Sequence, residues 1–232
     1  MSNIRSFTSL LARKSAISAT IPQNNIVALY APRRNFNNQS FMVTCIDKRL
    51  NEMLSVLFPD FFTARYAGGA ISDNVELGKL AVGNTTRVLN KLDNFVVLMH
   101  QDCKMIDAVR NELAGLAAPV INGSFNKLGR DASESDVIIA CLQTSMKNLH
   151  DQYNIKGASV GLCLDVHNQK INILQDNKLV LLDDSIPNPE NNPTLAKTYD
   201  TIRKFNSGLS LDVIRQIVRI PAASKGESKD LL

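Results

Sequence analysis

Tryptophan is absent from this chain of 232 residues, and aromatic residues make up only 6% of it. Proteins that grip single-stranded nucleic acid stack bases on aromatic rings, so that class of function is poorly supplied. No apolar run approaches the roughly 18–20 residues that span a bilayer, which argues against an integral membrane protein. Neither a Gly-X-Y pattern nor a repeat of fixed period is present, which sets aside collagen and solenoid architectures. Acidic residues are missing altogether from Met1 to Ile46, a stretch that holds Arg5, Arg13, Lys14, Arg33 and Arg34. Removing those five from the 26 basic residues leaves 21 against 22 acidic, a net of −1. The body is therefore near neutral and offers no basic face for nucleic acid. Four cysteines in a chain this long do not make a disulfide framework. No secretory signal is expected either, since Ser9-Leu10-Leu11-Ala12 is too short for an apolar core and runs straight into Arg13 and Lys14. These features favour a reducing compartment, where cysteines serve as ligands, nucleophiles or core residues.

What is present is a globular composition, 44% hydrophobic and 21% charged, of a size suited to one domain with extensions. The expected organisation is an N-terminal arm over 1–40, one α/β domain over 41–220 and a polar tail over 221–232. Ile4, Phe7, Leu10, Leu11 and Ile17 share one helical face of the arm. Its Arg/Ser-rich, acid-free start suits either a mitochondrial presequence or a helix docked on a partner subunit. Pro22 to Ser40 reads as an irregular connector. Phe41 to Cys45, Asp60 to Tyr66 and Phe95 to His100 read as strands, the first and third apolar on both faces. Helices are expected over Asn51 to Leu57, from Ser72 or Asp73 to Leu92, and from Asp102 to Ala114. Gly123 to Arg130 reads as loop, and Ser133-Glu-Ser-Asp opens a helix to about His150. Ala158 to Val166 and Lys170 to Leu174 read as two strands turned at His167-Asn168-Gln169. Thr194 to Phe205 and Leu209 to Val218 read as helices. Alternation of strands and helices predicts a mostly parallel sheet flanked by helices, with ligands at the carboxyl ends of the strands.

Two motifs stand at those ends: Cys45-Ile-Asp47-Lys-Arg49 and His100-Gln-Asp-Cys103. Catalytic zinc usually has three protein ligands and one open position, and two thiolates with one imidazole make such a set. His100 and Cys103 lie three apart where a strand becomes a helix, so both can face one point. Cys45 comes from another strand end. Asp47, two residues from a ligand, could close the site as a fourth ligand, and Arg49 can hold it away through a charge-assisted pair. Cys141 and Cys163 read as inert core residues, and His150 and His167 as exposed polar ones.

These residues resemble the signature of the β-class carbonic anhydrases, C-x-D-x-R followed some fifty residues later by H-x-x-C. Ala64-Arg65-Tyr66-Ala67-Gly68-Gly69 looks like that family's R-N-A-G-G segment. Gly157 to Val166 looks like its late G-x-x-Y-D-V strand. The resemblance covers about residues 42–174 and is closer to the shorter members of the class. It implies a four- to five-stranded, mainly parallel sheet and reversible hydration of carbon dioxide to bicarbonate by zinc-activated water. Cys45, His100 and Cys103 would hold one Zn2+ per chain, and Asp47 with Arg49 would form the catalytic dyad. Gly68 and Gly69 would line the substrate pocket, although a plain turn after a strand is an equal reading. A homodimer or homotetramer is implied, in the cytoplasm, or in the mitochondrial matrix if the arm is a presequence. Tyr66 stands where the family has Asn, and Lys104 where it has Gly, a bulky cation beside a ligand. No Q-x-P stretch precedes the first strand, and without Trp the family's bicarbonate-binding allosteric pocket cannot be carried over. Hydrolysis of carbon disulfide or carbonyl sulfide, and a non-catalytic zinc-binding role, are the alternative readings.

Overall fold

The computed structural model describes residues 26–30, 40–71, 94–113, 118–153 and 158–219. The arm helix, the helix expected from residue 72 to 92 and the polar tail lie outside the described residues.

Among the described residues seven strands form one sheet: β1 (Ile26–Tyr30), β2 (Ser40–Cys45), β3 (Phe62–Tyr66), β4 (Asn94–His100), β5 (Ala158–Asp165), β6 (Lys170–Gln175) and β7 (Lys178–Leu181). Their order is β1-β3-β2-β4-β5-β6-β7. The four central strands run parallel, while β1, β6 and β7 pair antiparallel at the flanks. The expected parallel core is thus present, and antiparallel strands extend it beyond the four or five expected. Every residue of β2 and of β4 is buried, as interior parallel strands require. Buried polar groups at the entry of these strands are paired: Asn94 Nδ2 donates to Ser40 Oγ at 2.8 Å, and the Asn192 amide donates to Asn94 Oδ1.

Six described helices accompany the sheet: α1 (Asn51–Leu57), α2 (Lys104–Arg110), α3 (Pro119–Leu128), α4 (Glu134–Tyr153), α5 (Pro193–Asn206) and α6 (Leu211–Arg219). Helix α4 packs on β4 and β5, and α5 packs on β6. Ser133 opens α4 as the acidic first turn suggested, its Oγ accepting from the Asp136 amide at 3.1 Å. None of the described helices is long and apolar enough to cross a membrane.

Three expectations are corrected, and one strand is added. The connector over 22–40 contains strand β1, which is held by pairing to β3. Residues 123–130 are not a loop, since α3 runs to Leu128. Pro119 starts that helix, Gly129 ends it at φ +96°, and Ile121 and Phe125, one turn apart, bury its inner face. Helix α2 starts at Lys104, not Asp102, and ends at Arg110. Strand β7 follows a two-residue turn in which Asp176 and Asn177 both take positive φ, the geometry that matches strand twist in a hairpin.

Candidate metal centre

Parallel pairing of β2 with β4 brings the last residue of each, Cys45 and His100, to the same edge of the sheet. Beyond His100 the chain turns sharply at Asp102, whose φ is +54°, and Cys103 caps the start of α2. That turn folds Cys103 back beside His100. The metal-binding atoms of Cys45, His100 and Cys103 all lie within 4.8 Å of one another, and all three residues are buried. The two Sγ atoms are 3.9 Å apart. Thiolates bound tetrahedrally to one zinc at about 2.3 Å stand about 3.8 Å apart, so the spacing suits zinc. His100 Nδ1 is engaged with the Gln101 carbonyl at 2.8 Å, whereas its Nε2 is buried with no hydrogen-bond partner. A buried imidazole nitrogen is rarely left so, and a cation at this point would satisfy it.

Electrostatics agree with the donor set. The Cys45 thiol is pulled down, first by the hydrogen bond from Cys103 and then by His100 against the cost of burial. Cys103 is pushed up by that same shared bond and by burial. One thiolate therefore forms readily, and the second needs a cation. Burial disfavours a charged His100, but Cys45 and Asp47 outweigh it and raise the imidazole. Cys141 and Cys163, pushed up by burial to about 11 and about 12, are inert thiols in the core, as expected.

Asp47 caps a short 3-10 turn over Lys48–Leu50, which folds Arg49 back onto it. Arg49 Nε donates to Asp47 Oδ2 at 3.0 Å and Nη2 donates to the same oxygen at 2.7 Å. These bonds hold the Asp47 carboxyl down to about 2. Its Oδ2 sits 3.9 Å from His100 Nε2, beside the ligand cluster. Arg49 also donates to Asp102, with Nη1 on Oδ2 at 2.7 Å and Nη2 on the carbonyl at 2.8 Å.

Glycines 68 and 69 form a turn with φ of +76° and +71°. A Cβ on Gly69 would stand 2.8 Å from the Cys45 amide nitrogen, and one on Gly68 would meet Ile121 and Met105. The bareness of Gly69 thus serves close packing of backbone behind Cys45. Lys104 does not crowd the cluster: its side chain is 79% exposed and pairs with Asp102 and Asp107 on the surface. Tyr66 is buried in the core. His150 and His167 are exposed, as expected, and His150 Nε2 lies 3.0 Å from Ser159 Oγ.

Three contributors escaped the sequence reading. Arg65 is buried in β3 and reaches the loop that follows Cys45. Asp102 supports Arg49 and does not start a helix. Glu134 Oε1 accepts from the Cys103 amide at 3.1 Å. Of these only Arg65 left a local signal, because a charge inside an otherwise buried strand must be paired.

No family model matches the chain, and no curated protein matches it in sequence. Among solved structures the chain is similar to several β-carbonic anhydrases. The β-carbonic anhydrase CcaA is 14% identical, with a TM-score of 0.47 over 62% of this chain and 84% of that one. A tetrameric β-carbonic anhydrase of the filamentous ascomycete Sordaria macrospora is 18% identical, with a TM-score of 0.47 over 59% of this chain and 80% of that one. The apo form of a carbon disulfide hydrolase is 15% identical, with a TM-score of 0.37 over 84% of this chain and 87% of that one.

Proposed function

We propose that this chain is a zinc enzyme of the β-carbonic anhydrase class, which hydrates carbon dioxide reversibly to bicarbonate. The observation that carries the reading is the buried Cys45, His100 and Cys103 cluster, with an unpartnered Nε2 and a carboxylate beside it. Cys45, His100 and Cys103 would hold the zinc, which when bound would lower the pKa of a water from 15.7 to about 7.

The chain's own residues do the rest. With its carboxyl held down to about 2 by Arg49, Asp47 is ionised at neutral pH and can only accept hydrogen bonds. It accepts one from the reacting water and so aims a lone pair at the carbon of carbon dioxide. Arg49 keeps both carboxylate oxygens engaged, so that Asp47 stays beside the metal position and leaves the fourth place free. Carbon dioxide is small and apolar and needs little beyond a dry wall. Gly68 and Gly69 enter that wall in this reading through the resemblance of their segment to the family's, while their own contacts, to Ile121 and to the Cys45 backbone, are packing ones.

Purified protein should hold about one zinc per chain and accelerate carbon dioxide hydration in a stopped-flow indicator assay. Cys103→Ser should lose most of the metal, because a neutral hydroxyl is a poor substitute for thiolate. Sulfide release from carbon disulfide or carbonyl sulfide, without hydration of carbon dioxide, would move the reaction to that hydrolase class. Zinc without either activity would leave a non-catalytic zinc protein. In the same reading the working unit is a homodimer or homotetramer, which sedimentation velocity distinguishes from a monomer.

A further inference from the structure

Arg65 lies on β3, in register with Thr44 of β2, one position short of the strand end that carries Cys45. It is 3% exposed, an unusual place for a guanidinium. Its Nε donates to the Cys45 carbonyl at 2.8 Å, its Nη2 donates to the Asp47 carbonyl at 2.5 Å, and its Nη1 donates to Asn51 Oδ1. One rigid fork thus grips the backbone on both sides of Ile46 and ties it to the start of α1. The Ile46 amide, between the two gripped carbonyls, donates to the Tyr66 carbonyl at 3.1 Å. The peptide that joins Cys45 to Ile46 is thus anchored to β3 through both its carbonyl and its amide, and the Asp47 carbonyl beyond it is held by the same guanidinium. Arg49 restrains only the far end of the Asp47 side chain, and it does so from a half-exposed position. The buried restraint on where Asp47 starts from is Arg65.

We propose that Arg65 is a positioning residue, whose grip on the Cys45 and Asp47 carbonyls keeps the Asp47 carboxylate beside the metal position instead of on it. The inference rests on the metal reading given above. A planar fork can hold two carbonyls at once, whereas an ammonium is a single point and cannot reproduce the pair. Loosening the loop would let Asp47 travel the short distance to the metal and close the fourth place.

The test uses the full chain reconstituted with cobalt(II), whose visible spectrum reports ligand exchange, and thiocyanate as the probe of an open position. Wild-type protein should show a thiocyanate-dependent spectral change. Arg65→Lys should keep one cobalt per chain and bind thiocyanate at least ten-fold more weakly. Arg65→Lys combined with Asp47→Ala should recover the change, because the closing carboxylate is gone. If Arg65→Lys binds thiocyanate like wild type, or if removing Asp47 restores nothing, the positioning role is overturned. Loss of cobalt from both Arg65→Lys and Arg65→Gln would overturn it in favour of a purely structural role. Failure of the wild-type protein to take up cobalt would instead sink the metal reading itself.

Discussion

At Gly69 the backbone turns through φ +71° with the Cys45 amide nitrogen, the Thr44 carbonyl carbon and the Leu98 carbonyl oxygen all within 3.3 Å of where a Cβ would stand. Backbone cannot step aside, so Gly69→Ala adds a clash to the strain of positive φ. At Gly68 the first obstacle is the far end of the Ile121 side chain, which can swing away. Gly69→Ala should therefore destabilise by about 2–3 kcal/mol and Gly68→Ala by about 1 kcal/mol, read from urea midpoints. Asp47 makes a second prediction at this scale. Its carboxyl is held down by Arg49 to about 2 in the folded protein, against roughly 3.9 in an unfolded chain. Because the folded value is depressed, the stability it contributes is fully present above pH about 4 and is lost as the pH falls through 2. In metal-free protein, carboxyl NMR should find Asp47 titrating near 2, and Arg49→Ala should return it toward the ordinary range.

Among elements, the clasp between α5 and the β6–β7 hairpin rests on one buried amide. Asn206 Oδ1 accepts from the Ile171 amide at 2.7 Å, and its Nδ2 donates to the carbonyls of Ile171 and Leu182 at 2.8 Å each. The Lys170 ammonium donates to the Asn206 carbonyl from the same side. Asn206→Ala would take the partner from the Ile171 amide and the Leu182 carbonyl, while the Ile171 carbonyl keeps the Leu182 amide at 3.2 Å. Unsatisfied buried groups cost about 1–3 kcal/mol, so a loss of about 2–3 kcal/mol is expected, with the urea midpoint lowered and the slope unchanged. A second clasp fixes α3: Arg110 and Arg130 each stand 5.5 Å from the Phe125 ring centre, and Arg130 Nη1 also donates to the Val109 carbonyl at 2.6 Å. Charged stems so placed cover the apolar ring while their heads find carbonyls, which is how a helix with Asn, Gly and Ser in its middle is kept.

For the whole molecule, the candidate ligands come from three places: the end of β2, the end of β4 and the start of α2. A metal there joins segments far apart in sequence and binds the folded chain far better than the unfolded one. At a free concentration one hundred times its Kd, such a ligand adds about 2.7 kcal/mol to unfolding. For a domain of this size that corresponds to a rise in Tm of roughly 5–11 °C. Zinc added to chelated protein should reproduce that rise in differential scanning calorimetry, and Cys103→Ser should not show it.

The sequence by itself determined the strand-ending positions of Cys45 and His100, the chemistry of the donor set, and the Asp47–Arg49 pair. All are local: a short apolar run bounded by polar residues is a buried strand, and a carboxylate two residues before an arginine can fold onto it. Capping at Ser133 and the β5–β6 hairpin were legible for the same reason. Only the tertiary structure decided that Arg65 grips the loop after Cys45, that Asp102 shares Arg49, and that Glu134 meets the Cys103 amide, 20, 53 and 31 positions apart. It likewise decided that Lys104 turns to the surface, that β1 joins the sheet edge, and that residues 123–128 are helical. Such outcomes depend on which surfaces the packed chain brings together. A polar side chain carries no record of its partner in its neighbours along the sequence, because its hydrogen bonds form with whatever the fold places within 3 Å or so of it.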